Sequence, residues 1–413
     1  MTHPHALSSH TFHIPVMGTG FTVDTPLRVA HYGISSVVAL ADDTLLEQMR
    51  AYHMNAAGLP FTPIADDEDD ARARRITAYL DFLGEQVGCK VKALQASPFE
   101  AGSDITRYFE MLPESGLKEA YRDMLATEDC AERIRKQDAL RRRAVPGDID
   151  VNIMAKVDRD VYRGREKLPP EYGLGMASLR GFAKSILKSS LVLSAGMNPR
   201  LYGYMTQFDD FYPDEQGTLR KKIILKVSDF RSADIQGKYL AKRGLWVSEY
   251  RIESGLNCGG HAFVSKASLL GPTLDEFMQN RDSLLEGAHD LYVKAIASRG
   301  GPALDAPLDQ RITAQGGIGT ADEHAFLLRY YRLNSVGWGT PFLLVPEATN
   351  VDDAHLSKLM AATADDVFLS ESSPLGVPFW TLRESASEDA RRRRIAAGTP
   401  GSPCTRGLLK LNT

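Results

Sequence analysis

Eight short β-branched runs, each leading through glycine or polar residues into a helical pattern, constrain this chain more than any other feature. They are Ile14 to Gly18, Ser36 to Leu40, Asp150 to Ala155, Ser190 to Ala195, Lys222 to Val227, Trp246 to Glu253, Arg311 to Gln315 and Ser335 to Trp338. A strand can return parallel to its neighbour only through a crossover, so this alternation is the grammar of parallel βα units. The 413 residues allow one barrel of roughly 250 residues with insertions, or two to three smaller domains. Eight units suit closure, and the expected fold class is α/β, a (β/α)₈ TIM barrel.

Between the second and third runs lies a stretch from Asp42 to Gly147, far longer than a loop requires. Ile76, Tyr79, Leu80 and Leu83 fall on one face of a helical pattern over Ala71 to Val87, and Leu117 to Arg143 continues likewise. The expected organisation is therefore a barrel over 14–41 and 148–373, a helical insertion over 42–147 and a loop-like tail over 374–413. The acidic run Asp66 to Asp70 and the basic stretch Arg133 to Arg143 read as solvated helix faces or ends, or the basic stretch as a lid over an anionic substrate. A smaller insertion, Asp158 to Leu179, carries Pro169-Pro170 and three glycines that break regular structure. Val351 to Ala364 looks helical.

A formal charge of −4 from 49 basic and 53 acidic residues gives no global pull toward nucleic acid or an anionic membrane. Cys89, Cys130, Cys258 and Cys404 are far apart, and histidines such as His31, His53, His261, His289 and His324 form no ligand pair, so no metal site is expected. Without a secretion signal or a run of roughly 18 apolar residues, the chain reads as cytoplasmic, with a small molecule as its partner and homo-oligomerisation left open.

The chemistry concentrates in two places. The run ending at Gln315 delivers Gly316-Gly317-Ile318-Gly319-Thr320, and one βα unit later the next delivers Gly337-Trp338-Gly339-Thr340. In a parallel barrel this spacing brings both turns to the C-terminal ends of neighbouring strands, where amides and a helix N-terminus can surround a phosphate dianion. Glycine is required because a Cβ would hold those amides away from the phosphate oxygens. The other place is Ser254-Gly255-Leu256-Asn257-Cys258-Gly259-Gly260-His261, which follows an apolar run and so sets an imidazole at the barrel mouth. His261 is either a proton donor, base or dipole there, or a structural histidine bonded to a carbonyl.

Taken in order along the chain, these segments resemble the nitronate monooxygenase family, FMN-dependent TIM barrels once called 2-nitropropane dioxygenases. Ile14-Pro-Val-Met-Gly18 with Thr25 to Ala30, Val151-Asn-Ile153, Ser194-Ala-Gly196, Gly255 with Gly259-Gly-His261, Gly316-Gly-Ile318, and Gly339-Thr340 with Phe342 and Pro346-Glu-Ala348 carry the likeness. It implies FMN as cofactor. Val16, Met17, Gly18, Asn152, Gly255, Gly259 and Gly260 would lie at the flavin, Gly316, Gly317, Ile318, Gly339 and Thr340 would hold its phosphate, and His261 would be catalytic. Ser254 and Asn257 stand where the family has glutamine and glutamate, and Cys258 replaces an alanine as either a reactive thiol or a packing residue. Lys156 would help hold the ring edge or be a surface residue.

The reading is an FMN-dependent oxidoreductase that oxidises a nitronate-like carbanion with O₂. Two alternatives stand beside it: an NAD(P)H-dependent flavin enoyl reductase of fatty-acid or polyketide synthesis, and a non-catalytic barrel that binds or assembles with a partner.

Overall fold

The computed structural model describes residues 9–154, 161–194, 196–253, 269–370 and 379–401. Eight parallel strands form a closed barrel: β1 (Phe12–Ile14), β2 (Ser35–Ala39), β3 (Ile149–Asn152), β6 (Ser190–Leu193), β7 (Lys222–Val227), β8 (Val247–Glu253), β9 (Arg311–Gln315) and β10 (Ser335–Gly337). Between β3 and β6 a small hairpin pairs β4 (Tyr162–Arg163) with β5 (Glu166–Lys167), and after the barrel β11 (Val367–Ser370) pairs antiparallel with β12 (Phe379–Leu382). The expected barrel is thus the observed one, with Lys222–Val227 and Arg311–Gln315 matching to the residue. The largest difference is at β1, which ends at Ile14 instead of continuing to Gly18. Pro15 has no N–H to give the ladder, and the chain leaves it there.

The helices, in chain order, are α1 (Thr25–Val29), α2 (Asp43–Ala56), α3 (Ala71–Ala96), α4 (Asp104–Glu110), α5 (Gly116–Ala126), α6 (Cys130–Arg143), α7 (Leu174–Lys184), α8 (Pro199–Met205), α9 (Phe230–Ala241), α10 (Leu270–Gln279), α11 (Arg281–Ser298), α12 (Ala321–Tyr330), α13 (Asp353–Ala361) and α14 (Ala386–Ala396). The main core lies between the strands and this outer ring, with Val38, Val151, Leu191, Leu225 and Ile252 from the strands meeting Ile76, Leu80, Leu179, Leu240 and Phe277 from the helices.

Two expectations about loops are corrected. The stretch expected to be irregular up to Leu179 instead enters α7 at Leu174, and α7 packs tightly on α3. Glycine is what permits this: a Cβ at Gly181 would lie 2.8 Å from both Ile76 Cβ and Ala73 O. The tail likewise contains α14, whose N-cap Ser385 accepts from the Glu388 N–H and whose Arg391 and Arg392 pair with Glu388.

The 42–147 stretch is helical and divides between two cores. Most of the buried face of α3 belongs to the barrel, whereas Leu94, Ile105, Tyr108, Phe109, Tyr121, Met124 and Leu140 form a separate core with α4, α5 and α6. That second core sits at the base, at the N-terminal ends of the strands. Tyr108 fixes it there: its hydroxyl lies 2.6 Å from Ser9 Oγ ahead of β1 and accepts from the Val145 N–H at 3.1 Å ahead of β3. The Tyr32 hydroxyl, ahead of β2, donates to Asp104 at 2.8 Å. The basic stretch on α6 is therefore at the opposite end from the barrel mouth and cannot act as a lid over it.

Candidate functional site

Strand β8 shows how the barrel interior is made. From Glu249 onward, Tyr250 and Ile252 alternate with Glu249, Arg251 and Glu253, so one face of the strand is apolar and the other charged. Tyr250 packs outward against Phe277 of α10, with ring centroids 6.4 Å apart, which turns the charged face into the barrel. Glu249, Arg251 and Glu253 are all buried. Charges in that position must be compensated, because an isolated ion loses its hydration there.

The compensation comes from neighbouring strands. Arg251 Nε donates to Glu249 Oε1 at 2.8 Å and its guanidinium approaches Asp150 Oδ2 on β3 at 3.8 Å. Thr313 Oγ1 on β9 donates to Glu249 at 2.6 Å. Burial works against ionisation of Glu249, yet the charges of Arg251 and Arg311 outweigh it and hold the carboxyl down to about 2. Asp150 goes the other way: burial first, then the charge of Asp148, raises it to about 7 against the pull of Arg251. Burial and the nearby Arg251 push His13 on β1 down to about 3, so its ring is neutral.

Above this layer the interior opens into a cleft of about 210 Å³ at the C-terminal strand ends. Val16, Val37 and Val192 form an apolar wall, and Asn152, Lys226, Arg251, Glu253 and Gln315 the polar one, with Pro15 and Met154 at the rim. A continuous chain of hydrogen bonds crosses the polar wall. His13 Nε2 lies 3.0 Å from Gln315 Oε1, Gln315 Nε2 donates to Glu253 Oε1, and Lys226 Nζ reaches both Glu253 oxygens at 3.2 and 3.1 Å. Asn152 ends β3 through a local turn: its Oδ1 accepts from the Met154 N–H at 2.9 Å, and Met154 adopts a left-handed φ of 55°.

The two glycine turns stand beside this cleft. Strands β9 and β10 are parallel neighbours with Gly337 opposite Gln315, so both turns leave the same rim. Gly316 and Gly317 have φ of 93° and 74°, which L side chains rarely adopt. Trp338 Nε1 donates to His324 Nδ1 at 2.9 Å, tying the second turn to the helix that follows the first. An indole can only donate, so the His324 proton sits on Nε2, facing Thr11 Oγ1 at 3.0 Å. His324 is a structural brace.

Against a phosphate, the turns fit in backbone but carry a competitor. The amides of Gly317, Ile318 and Gly339 donate to no described residue. Those of Gly319 and Thr320 already donate to the Glu323 carboxylate, at 2.8 and 3.0 Å, within the capping box of α12. The turn thus holds one internal anion beside the open amides.

Of the expected site residues, Val16 and Asn152 line the cleft, while Gly18 takes a left-handed φ of 72° in the loop beyond β1. Met17 packs toward Gly339, its sulfur 3.5 Å from where a Cβ there would sit. Gly316, Gly317, Gly339 and Thr340 are on the rim, whereas the Ile318 side chain is buried in the main core. His261, Gly255, Gly259, Gly260, Cys258 and Lys156 lie outside the described residues. Sequence reasoning missed Lys226, Arg251, Glu253, Gln315, His13 and Asp150. The signal was present in the Glu249-Tyr-Arg-Ile-Glu253 alternation, which inside a closed barrel has only one wet face to offer, the interior.

Among the described residues no helix is long and apolar enough to cross a membrane, and no group of three or more His, Cys, Asp and Glu could hold a metal ion.

No protein-family model and no curated protein matches this chain. Among solved structures it is similar to the enoyl reductase domain of MlnA from the macrolactin biosynthesis cluster of Bacillus amyloliquefaciens, at 15% identity and a TM-score of 0.40, over 66% of this chain. The match spans 62% of that domain's length.

Proposed function

We propose that this protein is an FMN-dependent oxidoreductase acting on a small molecule at the C-terminal mouth of the barrel. The observation that carries the reading is the pair of glycine turns on adjacent parallel strands, opening amides to the same rim beside a polar cleft. When bound, FMN would supply the electron transfer. The amides of Gly317, Ile318 and Gly339 would hold its phosphate, and Val16 and Asn152 would lie against its ring, as the resemblance to nitronate monooxygenases implies. The barrel contributes position and exclusion of water, and His261 is the proton donor or anion stabiliser on this reading.

The visible spectrum of the purified protein tests it, together with mass identification of what heat releases. Flavin bands are expected, and Gly317→Val and Gly339→Val should each lose the colour while keeping the far-ultraviolet dichroism of the fold. Colour retained in both variants overturns the phosphate placement. Oxygen uptake with a nitronate would support the carbanion oxidation, whereas consumption of NADH or NADPH with an acyl thioester would replace it with enoyl reduction. A protein that stays colourless when mixed with FMN overturns the flavin reading.

A further inference from the structure

The first turn of α12 holds both glycine turns, one through each of two consecutive residues. Glu323 accepts from the Gly319 and Thr320 amides of the first turn, at 2.8 and 3.0 Å. His324 accepts at Nδ1, at 2.9 Å, from the Trp338 indole, which belongs to the second. The backbone of Trp338 is tied as well, its N–H donating to His13 O at 3.0 Å. Trp338 is thus held at both backbone and side chain, and the Gly339 amide that follows it is aimed by the two together. The indole contact differs in kind from the others because it depends on one proton. An indole N–H only donates, and Nδ1 accepts only while the imidazole is neutral. The ring's own proton already sits on Nε2, facing Thr11 Oγ1, so a second one would set N–H against N–H across 2.9 Å.

We infer that His324 is a proton-operated clasp: the neutral imidazole fastens the 337–340 turn to α12, and its protonation releases the indole and loosens the turn's hold on an anionic ligand. The clasp regulates the site of the proposed flavoprotein, and rests on that reading only in taking these turns as the phosphate holders. Both rings are half-buried, so protons reach the pair from solvent. Asp322 and Glu323 precede His324 on α12 and Arg329 follows farther along, while the lead-in to β1 and the end of β10 meet its ring with the uncharged Thr11 and Trp338. Burial is what lowers the His324 pKa below 6.5. The bond is therefore complete above pH 6.5 and lost as pH falls through the lowered value.

The experiment follows the indole first and the ligand second. The full chain is labelled with ¹⁵N, and the Trp338 indole resonance is identified by its loss in Trp338→Phe. From about pH 8 to about pH 5 that resonance should move to the position of a freed indole N–H, with a single midpoint below 6.5. In His324→Gln, whose amide can accept from the indole and donate to Thr11 without titrating, it should stay in place. FMN affinity is then measured by equilibrium titration of both proteins over the same range, and read as a ratio because the phosphate itself gains a proton near about pH 6. The two should bind alike at about pH 8, and the parent should bind about fivefold more weakly than the variant at about pH 5, the effect of one hydrogen bond. Should His324→Gln not fold, Trp338→Phe is the reference that never clasps: about fivefold weaker than the parent at about pH 8 and equal to it at about pH 5. A Trp338 resonance that does not move, one that moves equally in His324→Gln, or an affinity ratio constant with pH overturns the clasp. If neither protein binds FMN at any pH, the flavin reading falls and the indole titration alone decides the clasp.

Discussion

His13 and Gln315, 302 positions apart in sequence and on strands that do not pair, are joined by a 3.0 Å hydrogen bond across the face of β10. The strand between them carries Gly337, which is why they can meet. A Cβ at Gly337 would come within 2.8 Å of His13 Nε2 and 2.9 Å of Gln315 Cγ. The missing side chain therefore lets the hydrogen-bond chain that ends at Lys226 close around the barrel.

Gly337→Ala should break that bond first. The added methyl forces His13 or Gln315 aside in a packed interior, at a cost of about 1–3 kcal/mol. Denaturant unfolding would read the loss, and the nuclear magnetic resonance spectrum of the chain labelled with ¹³C at lysine Cε, with the Lys226 signal identified by its loss in Lys226→Arg, would show that signal displaced without any change at Lys226 itself. An unaltered signal would mean that the chain does not transmit position.

The outer face offers a test with a rescue. A Cβ at Gly237 of α9 would overlap the Tyr250 hydroxyl, and that hydroxyl is buried with no hydrogen-bond partner among the described residues. Tyr250→Phe removes a desolvated group and should leave stability unchanged or raise it by about 1 kcal/mol. Gly237→Ala alone should destabilise, and the double variant should recover most of the loss, because the nearest remaining atom, Tyr250 Cζ, is 3.2 Å away. Additive effects in the double-mutant cycle would contradict the contact.

Asp150 and His13 give the barrel opposite pH dependences in one window. The Asp150 carboxyl is raised from 3.8 to about 7, so the folded state holds its proton longer, and the stability it contributes below about pH 4 is lost as pH rises through 7. His13 is lowered from 6.5 to about 3, so its contribution is full above 6.5 and is lost as pH falls toward 3. Asp150→Asn cannot titrate. Relative to the parent, it should gain on the order of 4 kcal/mol between about pH 4 and pH 7, measured by urea unfolding at successive pH values. A difference that is independent of pH would place Asp150 in the ordinary carboxylate range.

Glu323 competes for the amides that a phosphate would use. Glu323→Gln keeps an oxygen to accept from Gly319 and Thr320 while removing the charge. Repulsion of about 1 kcal/mol at roughly 4 Å in water corresponds to about fivefold tighter binding of FMN or inorganic phosphate, seen by equilibrium titration. Weaker binding in the variant would mean that the phosphate lies elsewhere.

The positions of the eight barrel strands and the pairing of two glycine turns one βα unit apart were legible in the sequence, because β-branched runs, glycine and a 3.6-residue period act within a few residues of chain. Where the strands stop depended on particular chemistry, as at Pro15. The direction of the charges on β8 was a different matter: alternation says that two faces differ, and only closure of the sheet, with Tyr250 outward against Phe277, decides that Glu249, Arg251 and Glu253 point inward. The helices after β2 were readable as helices, yet their place at the base follows from the length and direction of α3 and from Tyr108 gripping the lead-ins to β1 and β3. Periodicity is a local property of the chain, whereas which end of a barrel a segment occupies, and which side chains share its interior, are set by contacts between residues on different elements, far beyond the reach of a helical or strand repeat.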